Sequence, residues 1–218
     1  MDHDRSDVGD AVPGSGTDAS LEALIERTRG LQPWRKIFHA CTGLAIAAFL
    51  SIPWLTRTQA LIVLGSATVV LVAFDALRTA NRGVNALFFR VFSKLASPRE
   101  ATGMASSSWY AIGATIVTAF FSRDVAVSAM LVLGLADASA SVVGQRWGKR
   151  PILGGTVEGM ATFFVVAAAI LLARHAPLPA IVSAVSATLA ERNASFIDDN
   201  FWVPVVCAAA LTLTAMLV

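Results

Sequence analysis

The feature of this chain that most constrains its fold is a series of long, almost purely apolar runs separated by short charged loops. A helix that crosses the hydrocarbon of a bilayer needs about 20 mostly apolar residues. Six runs come close to that length, at residues 37–55, 59–77, 104–121, 125–143, 158–173 and 202–218. Only 15% of the residues are charged, against about 25% in soluble domains. The sequence therefore predicts an all-α, polytopic integral membrane protein.

A shorter apolar run at residues 178–189 leaves the number of crossings open. It is either a tilted span extended to Glu191 or a half-helix shielded by its neighbours. We count it as a seventh span, so that the chain has about seven transmembrane helices. No internal repeat and no second soluble domain is expected, so residues 31–218 are taken as one membrane domain.

Residues 84–95 predict one additional helix that lies in the membrane interface. Apolar side chains recur there at helical spacing, at Val84, Leu87, Phe88, Val91, Phe92 and Leu95, while Asn85 points elsewhere. Two interpretations stay open for this amphipathic helix. It is either a gate past which a lipid substrate enters or a simple connector between two spans.

The first 30 residues are acidic, contain Gly, Ser, Asp and Pro, and have few large apolar side chains. Such a segment buries too little to offset its ordering entropy, so we expect a mostly disordered tail. Positive charge in short loops marks the cytoplasmic side of a membrane protein. With seven spans, nearly all Lys and Arg residues fall on the side of the N-terminus, and only Arg57, Arg123 and Arg174 fall on the other. We therefore expect a cytoplasmic N-terminus, in a bacterial inner membrane.

Ionisable residues at membrane depth cost roughly 2.5–3.5 kcal/mol each on insertion scales, so each of them indicates a function or a partner. Asp137 lies inside a predicted span, and Gly134, Ser141 and Gly144 share its helical face. The small residues on that face allow a neighbouring helix or a ligand to come close. By contrast, Asp75 and Arg78 are three residues apart and predict only a local ion pair.

A glycine-rich basic loop follows Asp137. It contains Arg146, Gly148, Lys149 and Arg150, then Gly154, Gly155, Thr156 and Glu158. Glycines let backbone amides turn towards an anion, while Arg and Lys supply the countercharge. Thr156 is placed to cap the next helix, whose N-terminal end favours phosphate. The spacing matches neither a P-loop nor a dinucleotide fingerprint. Between two carboxylates, Asp137 and Glu158, the loop is typical of a site for a metal-bound polyphosphate.

These residues resemble a signature of the dolichol kinase, phytol kinase and CTP-dependent diacylglycerol kinase family, which is related to the phosphatidate cytidylyltransferases. The resemblance lies in Asp137-Ala138-Ser139-Ala140-Ser141, Gly144, Gly148-Lys149 and Thr156-Val157-Glu158-Gly159. Three further stretches fit it: Arg35-Lys36-Ile37-Phe38-His39, Arg99-Glu100-Ala101-Thr102-Gly103, and Glu191 with Asp199-Asn200 and Pro204. Together they run through residues 35–205 in order.

The resemblance implies an enzyme that transfers the terminal phosphoryl of CTP to the hydroxyl of a lipid alcohol. Asp137, Glu158 and Asp199 would hold a divalent metal such as Mg²⁺ through hard oxygen ligands. Asp137, Glu158 and Lys149 would be the catalytic residues. The phosphates would be bound by Arg146, Gly148, Lys149 and the backbone of Gly154, Gly155 and Thr156. Lys36 and His39, together with Arg35, would border the site. The expected partners are a membrane lipid and a nucleotide, with no nucleic acid; the oligomeric state is open.

One residue departs from the family pattern. Members usually carry a Lys immediately before the Ser or Thr of the Thr-x-Glu-Gly element, where this chain has Gly155. If that Lys neutralises a phosphate, its absence either lowers the activity or transfers this role to Lys149 and Arg150. Three alternatives therefore stay open: a CTP:lipid-phosphate cytidylyltransferase, a non-catalytic membrane relative, and a transporter. The lipid alcohol is not decided by the sequence: polyprenols such as dolichol, phytol and diacylglycerol all present one hydroxyl on an apolar tail.

Overall fold

The computed structural model describes residues 15–28, 33–152, 154–192 and 198–217. In these residues the chain forms α-helices and one short hairpin. The helices are α1 Ser15–Glu26, α2 Pro33–Leu50, α3 Arg57–Ala80, α4 Arg82–Val91, α5 Ser106–Phe120, α6 Arg123–Leu131, α7 Asp137–Trp147, α8 Val157–Leu172, α9 Pro177–Arg192 and α10 Asp199–Ala215. The hairpin pairs β1 Pro151–Ile152 with β2 Gly155–Thr156. The all-α class is confirmed.

Two irregular turns shape the helices next to the polar residues. A 3₁₀ turn, Pro98–Ala101, precedes α5. A π-helical turn, Val132–Ala136, joins α6 to α7, so that Arg123–Trp147 is one continuous helix. The π turn ends immediately before Asp137, and such turns occur frequently at functional sites.

Every predicted span lies on one helix of the structure, with α6 and α7 counted as the continuous unit. By length and apolarity, two units in the described part of the chain could cross a bilayer: α3 and the continuous α6–α7 helix. Helices α8 and α10 are apolar but shorter. The positions of the predicted helices are therefore confirmed, and the seven crossings stay a prediction.

Glycines let the helices around Asp137 approach one another backbone to backbone. A Cβ atom on Gly43 of α2 would lie 2.7 Å from the Cα of Gly134. A Cβ atom on Gly144 of α7 would lie 3.5 Å from the Cα of Gly159, near the start of α8. Small residues allow this kind of close helix packing. The predicted small-residue face thus packs α7 between α2 and α8.

The amphipathic helix is present as α4, and part of its orientation differs from the prediction. Leu87 and Val91 are more than half exposed, whereas Phe88 and Phe89 are buried. Asn85, predicted to point away from the apolar face of this helix, is buried as well. Its amide nitrogen donates to the carbonyl of Ala101 at 2.9 Å. This hydrogen bond holds α4 against the 3₁₀ turn.

Within the N-terminal segment the structure describes residues 15–28, and the expectation that residues 1–30 are mostly disordered stays a prediction. Residues 15–26 form α1, and its Leu21, Leu24 and Ile25 pack against the Phe88 and Phe89 cluster. These three side chains recur at helical spacing, which indicates a helix even though the segment as a whole is polar. Residues 1–14 lie outside the described part of the chain.

The side chain of Arg78 connects three segments and is completely buried. Its Nε donates to Asp75 Oδ1 at 2.6 Å, so the predicted local pair is confirmed. Its two terminal nitrogens reach further, to Asn85 Oδ1 and to the backbone carbonyls of Glu100 and Gly103. Buried charges are tolerated when they are fully hydrogen-bonded. Arg78 therefore fixes α4 and the loop before α5 against α3.

Candidate active site

A polar cavity of about 700 Å³ opens at one end of the bundle. It lies where the N-terminal ends of α2, α5 and α10 meet the start of α7 and the C-terminal end of α9. Helix N-termini carry partial positive charge and favour bound anions. The cavity is also lined by charged side chains of both signs: Arg35, Lys36, Arg99, Glu100, Asp137, Glu191, Arg192, Asp198 and Asp199.

Asp137 is buried at the inner end of this cavity, as its position in the sequence predicted. The ammonium of Lys36, from the first turn of α2, lies 3.4 Å from its Oδ2. His39 follows one turn later on α2, lines the same cavity, and packs edge-to-face on Tyr110 with ring centroids 5.7 Å apart. The structure therefore brings Asp137 together with His39 and with Lys36, which lies 101 positions earlier in the sequence.

Asp198 and Asp199 form a carboxyl pair at the start of α10, before the predicted span that begins at residue 202. Burial raises the pKa of Asp199 well above its usual range, and the carboxylates of Asp137 and Asp198 raise it further. Burial also opposes ionisation of Asp198, but hydrogen bonds from Asp199, Asn200 and Ser106 outweigh it and lower the pKa of Asp198. The environment therefore favours the protonated form of Asp199 and the ionised form of Asp198.

Ser106 connects the two sides of the cavity, and sequence analysis did not identify it. Its hydroxyl donates to Asp198 Oδ2 at 3.0 Å and accepts from Arg35 Nη2 at 2.5 Å. Its backbone N–H donates to Glu100 Oε1 at 3.2 Å, and Arg35 lies 3.6 Å from the same carboxylate. A serine in a serine-rich helix start gives no sequence signal of this role, because its partners are distant in the chain.

Arg192, at the end of α9, enters the cavity next to the glycine-rich loop. It pairs with Glu191, and its Nη1 lies 1.6 Å from the point where a Cβ atom of residue 155 would be. Burial lowers the pKa of Arg192, while Asp137 and Asp199 raise it. Sequence analysis expected Lys149 and Arg150 to compensate for the glycine at position 155. In the structure Arg192 occupies that space.

The glycine-rich loop is divided between the cavity and its outside. Gly154, with a φ of +75°, lines the cavity, and Gly155 contacts Arg192. Thr156 caps α8 as predicted, because its hydroxyl accepts from Gly159 N at 3.1 Å. The tip of the loop thus reaches the site through its backbone.

The charged residues of that loop do not line the cavity. The Glu158 carboxylate accepts hydrogen bonds from the backbone N–H groups of Lys149 and Arg150, at 3.1 and 3.4 Å. Gly144, which packs on Gly159, is seven residues beyond Asp137, roughly 10 Å along the helix axis at 1.5 Å per residue. The guanidinium of Arg146 lies over the Trp147 ring, 5.3 Å from its centroid. Glu158 therefore shapes the loop and is separated from Asp137.

Carboxylates suited to a divalent metal are present, but in a smaller group than the sequence predicted. Among the residues that the structure describes, no three His, Cys, Asp or Glu side chains are close enough together to hold a metal ion. Mg²⁺ usually binds through one or two carboxylates plus substrate phosphates, and it keeps several waters. Asp137 and Asp199 share the cavity, and the Asp137 carboxylate contributes to the raised pKa of Asp199. This pair fits a metal that arrives with a polyphosphate.

The chain is distantly similar in sequence to CTP-dependent lipid kinases. The relatives found are proteins named CTP-dependent diacylglycerol kinase 1. The one from Eremothecium gossypii is 28% identical over 115 residues, covering 52% of this chain and 36% of its own length. The one from Saccharomyces cerevisiae is 27% identical over 114 residues, covering 52% and 39%. The one from Schizosaccharomyces pombe is 33% identical over 75 residues, covering 34% of each.

These matches confirm the resemblance predicted from the motifs as a distant similarity over half of the chain. The chain spans between about a third and two fifths of the length of the curated relatives it matches. No protein-family model matches the chain. No solved structure matches it either.

Proposed function

We propose that this protein is a membrane-embedded, CTP-dependent lipid kinase that phosphorylates the hydroxyl of a lipid alcohol. The observation that carries this proposal is one cavity in which Asp137 and Asp199 face Lys36 and Arg192 at the end of a bundle of apolar helices. Phosphoryl transfer depends on charge neutralisation and positioning more than on covalent chemistry. The similarity to CTP-dependent diacylglycerol kinases supports CTP as the donor and a lipid as the acceptor.

The outer surface of the bundle supports placement in a bilayer. Helix α3 is the more apolar of the two long helices, and only 17% of its apolar 18-residue stretch is buried. Its Ile62, Val63, Val69 and Val70 are all more than half exposed. A contiguous apolar surface of this kind marks contact with a membrane or a protein. We infer that α3 faces lipid, with the polar cavity on the cytoplasmic side.

The cations of the cavity are proposed to bind the phosphates of CTP. Lys36 and Arg35 come from the first turn of α2, and Arg192 reaches in from α9 beside the backbone of Gly154 and Gly155. Arg binds phosphate through paired donors, whereas Lys acts as a point charge. Convergence of helix N-termini on the same cavity adds partial positive charge. The cavity is thereby suited to a triphosphate.

The carboxyl groups are proposed to hold the metal and to position the acceptor. Asp137 and Asp199 would bind Mg²⁺, which neutralises developing charge on the phosphates when it is bound. In the reaction, the lipid oxygen forms a bond to the terminal phosphorus, the bond from that phosphorus to the bridging oxygen breaks, and CDP leaves. The proton of the lipid hydroxyl passes to a carboxylate of this group. The acceptor is a lipid alcohol of one of three kinds: a polyprenol such as dolichol, phytol, or diacylglycerol.

The charged part of the loop has a different place in this proposal. Glu158 accepts two backbone N–H groups and so fixes the turn that presents Gly154 to the cavity. We keep Arg146 and Lys149 as cations that attract CTP to the mouth of the site. Electrostatic attraction of this kind acts on association and is screened by salt. Glu158 is retained as a loop-shaping residue in place of a direct metal ligand.

The direct test is to incubate the purified protein in phospholipid vesicles with CTP, Mg²⁺ and, in turn, diacylglycerol, phytol and a polyprenol. The proposal expects a phosphorylated lipid from at least one acceptor and CDP in equal amount. Production of neither lipid phosphate nor CDP with any acceptor would contradict it. ATP in place of CTP provides the comparison for the nucleotide.

A further inference from the structure

An apolar slot of about 230 Å³ lies between α2, α3, α4 and the start of α5. Its apolar lining consists of aromatic and leucine side chains: Phe38, Leu71, Phe74, Phe88, Phe92 and Leu95. Most ligand sites for drug-sized molecules measure about 300–1,000 Å³. The slot is smaller than this range, so it can hold a section of one hydrocarbon chain while the remainder of the chain lies outside the protein.

The slot shares a wall with the polar cavity. His39, Glu100 and Ser106 line both spaces. A groove of about 560 Å³ between α2 and α7 is larger, but Lys36 is the residue it has in common with the polar cavity. A molecule with a polar end and an apolar chain could therefore place each end in a matching environment across the wall formed by His39 and Ser106.

Two carboxylates line the slot: Glu100, which belongs to the wall shared with the polar cavity, and Asp75, whose hydrogen bonds are satisfied within the protein. Asp75 Oδ1 accepts from Arg78 Nε, and Asp75 Oδ2 accepts from Ala105 N at 2.8 Å and from Ser108 Oγ at 2.5 Å. A buried polar group that is hydrogen-bonded does not oppose an apolar neighbour in the way that an unpaired one does. Asp75 is therefore compatible with hydrocarbon in the slot.

The slot also opens to the surface that we place in the bilayer. Phe38, Phe74 and Phe92 line it and are between 38% and 45% exposed. Next to them on α4, Leu87 and Val91 are more than half exposed. Apolar side chains at a slot mouth give a hydrocarbon chain a continuous path from the membrane to His39 and Ser106.

We propose that this slot binds the hydrocarbon chain of the acceptor lipid and so directs its hydroxyl to the wall formed by His39 and Ser106. This inference rests on the proposed function, because it assigns the lipid side of the same site. It also assigns a role to α4, because Phe88 of this helix and Phe92 immediately after it close one side of the slot. This role favours the gate over the simple connector.

The test uses palmityl alcohol that bears a diazirine in its chain, added to the full-length protein in phosphatidylcholine vesicles and activated by light. Mass spectrometry of the labelled protein should place the adducts on peptides that contain Leu71, Phe74, Phe88 and Phe92. Excess diacylglycerol or polyprenol should reduce that labelling. Adducts on the α2–α7 groove, at Ile37 or Val142, or spread evenly over exposed α3, would overturn the proposal.

A matched pair of variants provides a second test of the slot. Leu71→Trp fills the slot, whereas Val70→Trp introduces the same side chain at the neighbouring exposed position. Leu71→Trp should lower slot labelling and raise KM for the lipid by about tenfold, the scale of a single misfitted methylene in an apolar pocket. KM for CTP should stay unchanged, and Val70→Trp should match the wild type. Equal behaviour of the two variants would overturn the slot.

Failure of the slot and failure of the proposed function give different results. If the protein labels in the slot but no lipid is phosphorylated, the slot stands as a lipid site and the kinase proposal fails. If lipid is phosphorylated while labelling falls elsewhere, the kinase proposal stands and the slot is wrong. The wild-type labelling map decides the slot even if Leu71→Trp does not fold.

Discussion

The guanidinium of Arg192 lies in the space that a side chain at residue 155 would occupy, and the glycine at that position leaves the space open. Residue 155 belongs to the glycine-rich loop, whereas Arg192 ends a helix 37 positions further along the chain. The departure from the family pattern at Gly155 is thus matched by a cation that arrives from another element.

Gly155→Ala should weaken CTP binding, because the new Cβ atom would lie 1.6 Å from the present position of Arg192 Nη1. A hydrogen bond to a charged group contributes about 1.5–3 kcal/mol, so we expect kcat/KM for CTP to fall by about tenfold or more. Steady-state kinetics with CTP varied at saturating lipid would measure it. Gly65→Ala is the control, since nothing lies within 4 Å of its Cβ position.

Arg192→Ala should reproduce that loss, and adding Gly155→Lys to it should restore part of the activity by returning a cation to the same side of the cavity. Both variants should leave KM for the lipid unchanged. If Arg192→Ala keeps full kcat/KM for CTP, Arg192 has no role in phosphate binding.

Ser106→Ala should change the pH dependence of turnover. Asp198 is held ionised in part by the Ser106 hydroxyl, so losing that donor raises the pKa of Asp198. As the pH falls, the carboxylate is then protonated earlier, and activity should be lost at a higher pH than in the wild type. The pH–rate profile measures this shift. Ser107→Ala, the next residue on α5, should leave the acid limb in place.

Asp199→Asn should raise the Mg²⁺ concentration needed for half-maximal activity. Burial raises the pKa of the Asp199 carboxyl, and a divalent cation between Asp137 and Asp199 would favour its ionised form. The amide cannot supply the negative charge. Activity should be abolished by chelator and restored by Mg²⁺ in the wild type. Identical Mg²⁺ titrations of the two proteins would remove Asp199 from the metal site.

Arg78→Met should destabilise the protein more than it affects the chemistry. Removing one partner of a buried ion pair costs about 3–5 kcal/mol, because the other charge is left uncompensated. The buried Asp75 would be that charge, and the carbonyls of Glu100 and Gly103 would lose their donor. Thermal unfolding in detergent should show a clear drop in Tm. Arg90→Met on the exposed side of α4 should leave Tm unchanged.

The helices could be predicted from the sequence because each apolar run carries its own signal. The runs at 59–77 and 125–143 coincide with α3 and the α6–α7 helix, and Thr156 caps α8 as expected. Asp137 was identified because a charge inside an apolar run is costly and therefore informative. These features depend on neighbours within a few residues, which a single sequence records.

The rest of the site could not be predicted because it depends on distant contacts. The bonds of Ser106 to Arg35 and Asp198 join residues 71 and 92 positions apart. Glu158 was expected beside Asp137, but packing of Gly159 against Gly144 sets it further along α7. Because the charged loop follows Asp137 closely in the sequence, we predicted that more of the loop lines the cavity than the structure shows.

The position of the label in CTP tests the central claim most directly. CTP labelled in its γ-phosphate, or separately in its α-phosphate, is given to the wild type and to Asp137→Asn in vesicles that contain the acceptor lipid. The account predicts that γ-label enters lipid with the wild type, that α-label does not, and that Asp137→Asn transfers neither while it is expressed normally. Transfer of α-label to lipid phosphate would instead identify a cytidylyltransferase, and unchanged transfer by Asp137→Asn would contradict the assigned site.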